Sequence, residues 1–353
     1  MIRMDQYAPI LKAKEGEFLA LSKLPDNIKD SIVPIVDIVP NPIKLFNDHI
    51  KATLKYFNKW PKNRLMYIDG YLVQGGGRIV SDQHYLNFIF SELRNNGFKI
   101  IPVVSNIANS EYAAAVKTII SKDHKGICIR IFRSGTTNIN VELDAIQSNL
   151  GIDPSVVDLL LDLGSVEDLS AEEIFRWALN KIAEIRGIST YRSLIVSGSS
   201  FPIDLVKLKA DQVHIIPRNQ WLAWQQLYSC PDIGRIPSYS DYAISHPQMS
   251  EFGKGIPNAS ASIRYTHELD YIVYRGKGTR QHSFDQFYSI SESLLNSTDF
   301  YGANHCAGDD FIKYCGTKKE KTGNLETWRW VGTSHHITIV VNQLRQLWRD
   351  FNA

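Results

Sequence analysis

Between residues 156 and 200 the spacing of apolar residues changes from two to 3.6 and back to two, and this change constrains the fold more than any other feature of the chain. An apolar run, Val156-Val157-Asp158-Leu159-Leu160-Leu161-Asp162-Leu163-Gly164, leads into a helix-patterned segment over 171–186. Ser193-Leu194-Ile195-Val196-Ser197-Gly198-Ser199-Ser200 follows. Strand, crossover helix and strand make a βαβ unit, which requires parallel pairing.

The unit recurs. Strand patterns begin near residues 8, 32, 64, 99, 127, 156, 193 and 235, and helix-patterned segments separate most of them, among them 43–57, 82–95, 111–121, 141–150 and 221–228. Ser81 is placed as a helix cap and Gly97 and Gly126 as helix ends. Eight successive units predict an α/β fold, a (β/α)8 TIM-type barrel. A doubly wound open sheet is the alternative, but no Gly-x-Gly-x-x-Gly follows the first strand. Strand eight is the least defined.

From His246 the alternation stops and glycines and aromatics intermingle up to Thr333. Residues 337–351 are again amphipathic and supply the eighth barrel helix. The expected organisation is a barrel over 1–245 and 334–353, with 246–333 as a large α+β insertion in the last βα loop. Within it, 262–274 reads as a strand and 284–295 as a helix, and it is too aromatic for disorder. Barrel active sites use the face carrying that loop, so the insertion is expected to cap the mouth.

Thirty-nine Lys and Arg against 37 Asp and Glu leave a net charge of +2, which gives no general reason to expect nucleic-acid binding. No apolar run reaches the length of a membrane span and no secretory signal is present, so the expectation is a cytoplasmic chain. Four scattered cysteines read as reduced thiols.

Strand parity selects the site. Alternate residues share a face, and Leu11, Ile38, Ile68, Ile129 and Leu161 belong on the helix side. That turns Lys12, Lys14, Asp37, Asp69, Arg130 and Asp162 inward, with Ser105 or Asn106, Ser197 and Ser199 completing the ring. In strand eight either Ser240 or Asp241 points in. Buried charges cost several kcal/mol per ion unless paired. One reading is an internal network, Lys14 with Asp37 and Arg130 with Asp162. The other is a ligand site, with Lys12, Lys14 and Arg130 on an anionic group and Asp37, Asp69 or Asp162 as acceptor or general base. Sugar hydrolysis by two carboxylates is a further version.

A phosphate subsite is expected where Ser197 and Ser199 end strand seven and where Gly332-Thr333-Ser334-His335-His336 opens the last helix. Plain N-capping by Ser334 is the competing role. Gln74-Gly75-Gly76-Gly77 matches no P-loop and reads as a flexible turn, and Lys318-Lys319-Glu320-Lys321 as a solvated loop. Trp328-Arg329-Trp330 alternates like a short strand. His305, Cys306, Cys315, His335 and His336 invite a zinc reading, but without a C-x-x-C pair or H-E-x-x-H helix ordinary thiols are favoured and no metal ligand is assigned. No cofactor is identified.

Tyr7-Ala8-Pro9-Ile10-Leu11-Lys12-Ala13-Lys14-Glu15-Gly16-Glu17-Phe18-Leu19-Ala20-Leu21, followed by Ile32-Val33-Pro34-Ile35-Val36-Asp37-Ile38, resembles the opening of the Beta protein family of bacteriophages and bacterial mobile elements. The likeness extends more loosely to Trp328-Arg329-Trp330 and His335-His336. It implies a phage-related protein of antiviral defence or toxin control, and it carries over no catalytic residue. The expected function is a defence or immunity protein whose polar mouth binds, and in one version hydrolyses, a phosphorylated or nucleotide-like ligand. The alternative is an antitoxin-like module that grips a protein partner from the same locus.

Overall fold

The eight strands pair in chain order. A computed structural model describes residues 2–75, 78–249, 259–319 and 321–351. Gly76 and Gly77 of the expected flexible turn, residues 250–258 of the insertion with Gly253 and Gly255, and Glu320 of the charged loop lie outside them. The strands are β1 (Ile10–Lys12), β2 (Ile35–Asp37), β3 (Leu65–Asp69), β4 (Lys99–Ser105), β5 (Ile127–Phe132), β6 (Val157–Ser165), β7 (Ser193–Ser199) and β8 (Ser238–Asp241). All neighbours are parallel, giving a mixed α/β fold around a nearly closed, barrel-like sheet. At the seam Ala8 N–H donates to Tyr239 O (3.0 Å) and Ser240 Oγ to Ala8 O (2.6 Å), so β8 returns to the start of β1.

Parity divides the apolar residues as expected. Leu11, Ile38, Ile68, Ile129 and Leu161 share one core with helix residues such as Phe18, Ile50, Leu86, Val116 and Ile174. Ile10, Ile35, Tyr67, Ile101, Cys128, Leu160 and Ile195 form a second core inside the sheet. Register then sets the depth of the polar residues, since Lys12 pairs with Asp37, Asp37 with Asp69, and Asp162 with Ser197. In β8, Tyr239 packs outward and Ser240 takes the inward parity. Asp241 turns outward to accept from Tyr7, Tyr239 (2.7 Å) and His336 of the last helix (3.0 Å).

A second layer, the cap, packs beside the parallel sheet. Its antiparallel sheet has Asp270–Gly278 between Gln212–Pro217 and Ser260–Thr266. Residues 262–274 are therefore a hairpin rather than one strand, and Gln212–Pro217 joins the cap from outside the expected insertion. The cap has its own core, with Ile263, Tyr265, Phe287, Leu294, Ile312 and Trp328, and the Phe287 and Trp328 rings stack at 4.3 Å.

The helix Leu325–Phe351 staples the two parts: Trp328, Trp330 and Val331 enter the cap core, while Ile337, Val340, Val341 and Leu344 enter the barrel core. Trp328-Arg329-Trp330 is thus helical, not a strand. The helix also starts well before Ser334. Gly332, which reads as a breaker, is a packing residue, because a Cβ there would meet Ile244 Cδ1 at 2.6 Å and Arg264 O at 2.8 Å. Ser81 is not a helix cap either. It lies at φ 49° in a short hairpin of Ile79–Val80 with Gln83–His84, and His84 caps the helix Tyr85–Asn95 through Leu86 N–H.

Candidate functional site

β5 carries Arg130 into the upper interior, where its side chain is wholly buried. Nη1 donates to Asp37 Oδ1 (2.9 Å) and Asp69 Oδ2 (2.8 Å), and Nε to Asp162 Oδ2 (2.8 Å), which also lies 2.7 Å from Nη2 as an ion pair. Nη2 also reaches Tyr242 OH at 2.6 Å, and that hydroxyl donates to Asp162 Oδ2 at 2.6 Å. The rings of Tyr71 and Phe132 stand 4.9 and 4.6 Å from the guanidinium carbon. Local backbone fixes the carboxylates: Tyr71 N–H holds Asp69, and Gly164, in the left-handed region at φ 67°, turns its N–H to Asp162 (2.8 Å).

One cation faces three carboxylates. Burial pushes the Asp37 carboxyl up to about 7, with Asp69 and Asp162 adding to the rise and Arg130 opposing it. Asp69 is raised for the same first reason. Asp37 Oδ2 is buried with no hydrogen-bond partner among the described residues, a state that disfavours the charged form. Arg130, expected among the ligand-binding residues, is therefore engaged by Asp37, Asp69, Asp162 and Tyr242. Lys14 does not pair with Asp37. Tyr242 was missed because the ill-defined end of β8 hid its inward parity.

Lys12 and Lys14 belong to a different place, a cavity of about 850 Å³ between the ends of β1 and β2, the segments after β7 and β8, and the cap. Its described lining includes Lys12, Lys14, Lys44, Arg264, Arg275 and Arg329 against Glu15, Glu17, Asp204 and Glu326, six basic to four acidic residues. Asp37, Asp69, Arg130 and Asp162 are not among them. Lys12 Nζ donates to His246 O (2.8 Å) and Gln248 O (3.0 Å). Burial, then Arg329 and Lys14, push it down to about 8. Burial and Arg329 lower Arg264 to about 9, and burial lowers Lys14. Arg329 reaches Ser245 Oγ at 2.7 Å, whereas Glu17 Oε1 is 3.9 Å from its Nε.

The expected phosphate subsite is not assembled at one point. Ser197 Oγ is buried with no hydrogen-bond partner among the described residues, and Ser199 Oγ donates to Ser245 O (2.9 Å), tying β7 to the segment after β8. Ser334 lies inside a helix and donates to Val331 O (3.1 Å), so no helix N-terminus presents N–H groups at 332–336. His335 is buried between Asp309 and Thr266 O. His305, Asp309 and His335 place one ligand atom each within 4.8 Å of one another, a set able to hold a metal ion.

These features define an α/β protein with a barrel-like parallel sheet, a charge-filled mouth and a folded cap. The chain belongs to the Beta protein family, whose model matches residues 7–342. No curated protein matches it. Among the described residues no helix is long and apolar enough to cross a membrane.

Proposed function

We propose that the sheet is a (β/α)8 TIM-type barrel and that the protein, a phage- or mobile-element-associated defence protein, binds a phosphorylated or nucleotide-like ligand in the cleft between mouth and cap. One observation carries this reading: Lys12, Lys14, Arg264 and Arg329 converge on the cleft, where burial first and Arg329 next lower the protonation of Lys12, Lys14 and Arg264, with Glu17 acting against that shift. A phosphate group would relieve that repulsion through charge-assisted hydrogen bonds. The carboxylates Asp37, Asp69 and Asp162 are held by Arg130 below the cleft, which favours binding or sensing over hydrolysis.

Calorimetric titration with inorganic phosphate and with adenine and guanine mononucleotides tests the proposal. Because an anion favours protonated Lys12, binding near pH 8 should take up protons, seen as a heat that varies with the ionisation enthalpy of the buffer. Absence of binding at millimolar ligand sinks it.

The interaction-module reading rests on a different face. Gln212–Pro217 is an edge strand of the cap that exposes Val213 and Ile215, at 49% and 67%. Edge strands of this kind pair readily with another chain. Hydrogen-exchange protection of 212–217 by a protein from the same locus, with the cleft unchanged, would favour it.

A further inference from the structure

The cap helix Ala307–Gly316 and the long helix Leu325–Phe351 cross at Gly308, where a Cβ would stand 2.4 Å from Val331 O. This close approach brings Asp309 of one helix against His335 of the other, Oδ2 to Nδ1 at 2.9 Å. The loop before the cap helix delivers His305, with Asn304 in the left-handed region at φ 70° and held by its N–H to Asp310 Oδ1 (2.9 Å). Tyr301 packs against the His305 ring at 5.0 Å.

We propose that His305, Asp309 and His335 form a binding site for a divalent transition-metal ion of the zinc class. The three ligand atoms lie within 4.8 Å of one another, and two imidazoles with one carboxylate suit Zn²⁺ or Co²⁺ far better than Mg²⁺ or Ca²⁺. The outer contacts have the form such sites take. His335 Nε2–H donates to Thr266 O (2.8 Å), which aims Nδ1 at the shared centre, and the Tyr265 hydroxyl donates to the other carboxylate oxygen of Asp309 (2.7 Å). Tyr265 also stacks on His335 at 3.8 Å and fixes its ring plane.

His305 separates a metal site from a plain histidine–aspartate pair. Its Nε2 is buried and has no hydrogen-bond partner among the described residues, a costly state for a pair that would be complete without it. A cation bound through Nε2 would give that nitrogen a partner. Cys306, whose thiol donates to Asp309 Oδ2 at 3.0 Å, lies at the edge of the cluster. Three protein ligands leave a position for water or a small ligand. The ion would join cap helix to long helix.

The test uses the full chain stripped with chelator and titrated with ZnCl₂, CoCl₂ and MgCl₂. One equivalent of Zn²⁺ should bind and raise the melting temperature, Co²⁺ should show the visible bands of a low-coordinate site, and Mg²⁺ should do neither. His305→Gln keeps most of the side-chain volume and removes a nitrogen, Nε2, that has no hydrogen-bond partner among the described residues, so its metal-free melting should match the parent, while His305→Ala, which also loses the Tyr301 contact, is compared with and without metal. Their Zn²⁺ affinity should fall by about 100-fold or more, beyond the 10- to 100-fold typical of outer-contact changes, with loss of the thermal gain. No Zn²⁺ or Co²⁺ binding by the parent, or equal binding by both variants, overturns the site.

Discussion

Arg130 and Lys12 both point inward from parallel strands of one sheet, yet they live under opposite rules. Arg130 is sealed and surrounded by three carboxylates, a tyrosine hydroxyl and two aromatic rings. Lys12 opens on a cavity and has carbonyls for partners, with Arg329 and Lys14 outweighing Glu17 and Asp37 among the charges around it. A buried cluster must be matched internally, because stranding an ion costs several kcal/mol. A cluster left with an excess of one charge at a cavity is free to be matched from outside. The inward parity that selected both residues cannot distinguish these fates; depth along the strand and the company of the cap do.

The widest split between the two clusters should come from Arg130→Ala. It leaves three buried carboxylates without their cation and should cost about 3–5 kcal/mol in chemical denaturation, at least as much as truncating a core leucine such as Leu161 at roughly 2–5 kcal/mol. A loss under about 1 kcal/mol would mean that the buried network does not hold the mouth together. The paired change at the cleft, Lys12→Ala with Lys14→Ala, should do the reverse. Phosphate or nucleotide affinity should drop by about tenfold or more, as loss of charged contacts implies, while stability stays within about 1 kcal/mol because the removed charges repelled each other. Equal effects on stability and binding would erase the distinction.

Most of the sealed cluster could be read before the structure was known. Strand periodicity alone turns Asp37, Asp69, Arg130 and Asp162 to one side, and buried charges of both signs at one level leave pairing as the cheapest arrangement. Which acid pairs with which base is less legible: the internal-network reading joins Lys14 to Asp37, although Asp37 lies within reach of an arginine two strands beyond its neighbour. The cleft was half visible. Lys12 and Lys14 follow from β1, but Arg264 and Arg329 reach it from a cap hairpin and a helix whose placement depends on contacts distant in sequence. The start of that helix was obscured locally, since Trp328-Arg329-Trp330 mimics strand alternation and Gly332 mimics a stop. Its glycine serves close approach to Arg264 and Ile244.

A finer separation comes from pH. The Asp37 carboxyl, raised to about 7 when folded, returns to roughly 3.9 when the chain unfolds. Between those values the folded state binds more protons, so this group's share of stability falls as pH rises from about 4 to about 7 and is then constant. Lys12 works in another window. Lowered to about 8 when folded, against roughly 10.4 unfolded, it makes the unfolded state the larger proton binder between those values, so its share of stability rises with pH there. Asp37→Asn should flatten the acid-side difference and leave the alkaline one, and Lys12→Met the converse. A variant that moves both windows would show that the clusters titrate as one.

The smallest expected effect concerns Ser334, which by sequence stands at the mouth and by structure does not. Its hydroxyl bonds back to Val331 O inside a continuous helix, an interaction of the kind that stabilises helices little. Ser334→Ala should therefore change stability by less than about 0.5 kcal/mol, as for a residue outside the features that produce large losses. It should leave phosphate or nucleotide affinity unaltered, because the N–H groups that an anion would need are already spent in the turns that begin at Leu325. Calorimetry on this variant beside the Lys12 and Lys14 double change locates the anion. If Ser334→Ala weakens binding while the lysine variant does not, the ligand sits at the long helix and the cleft is merely a cationic surface.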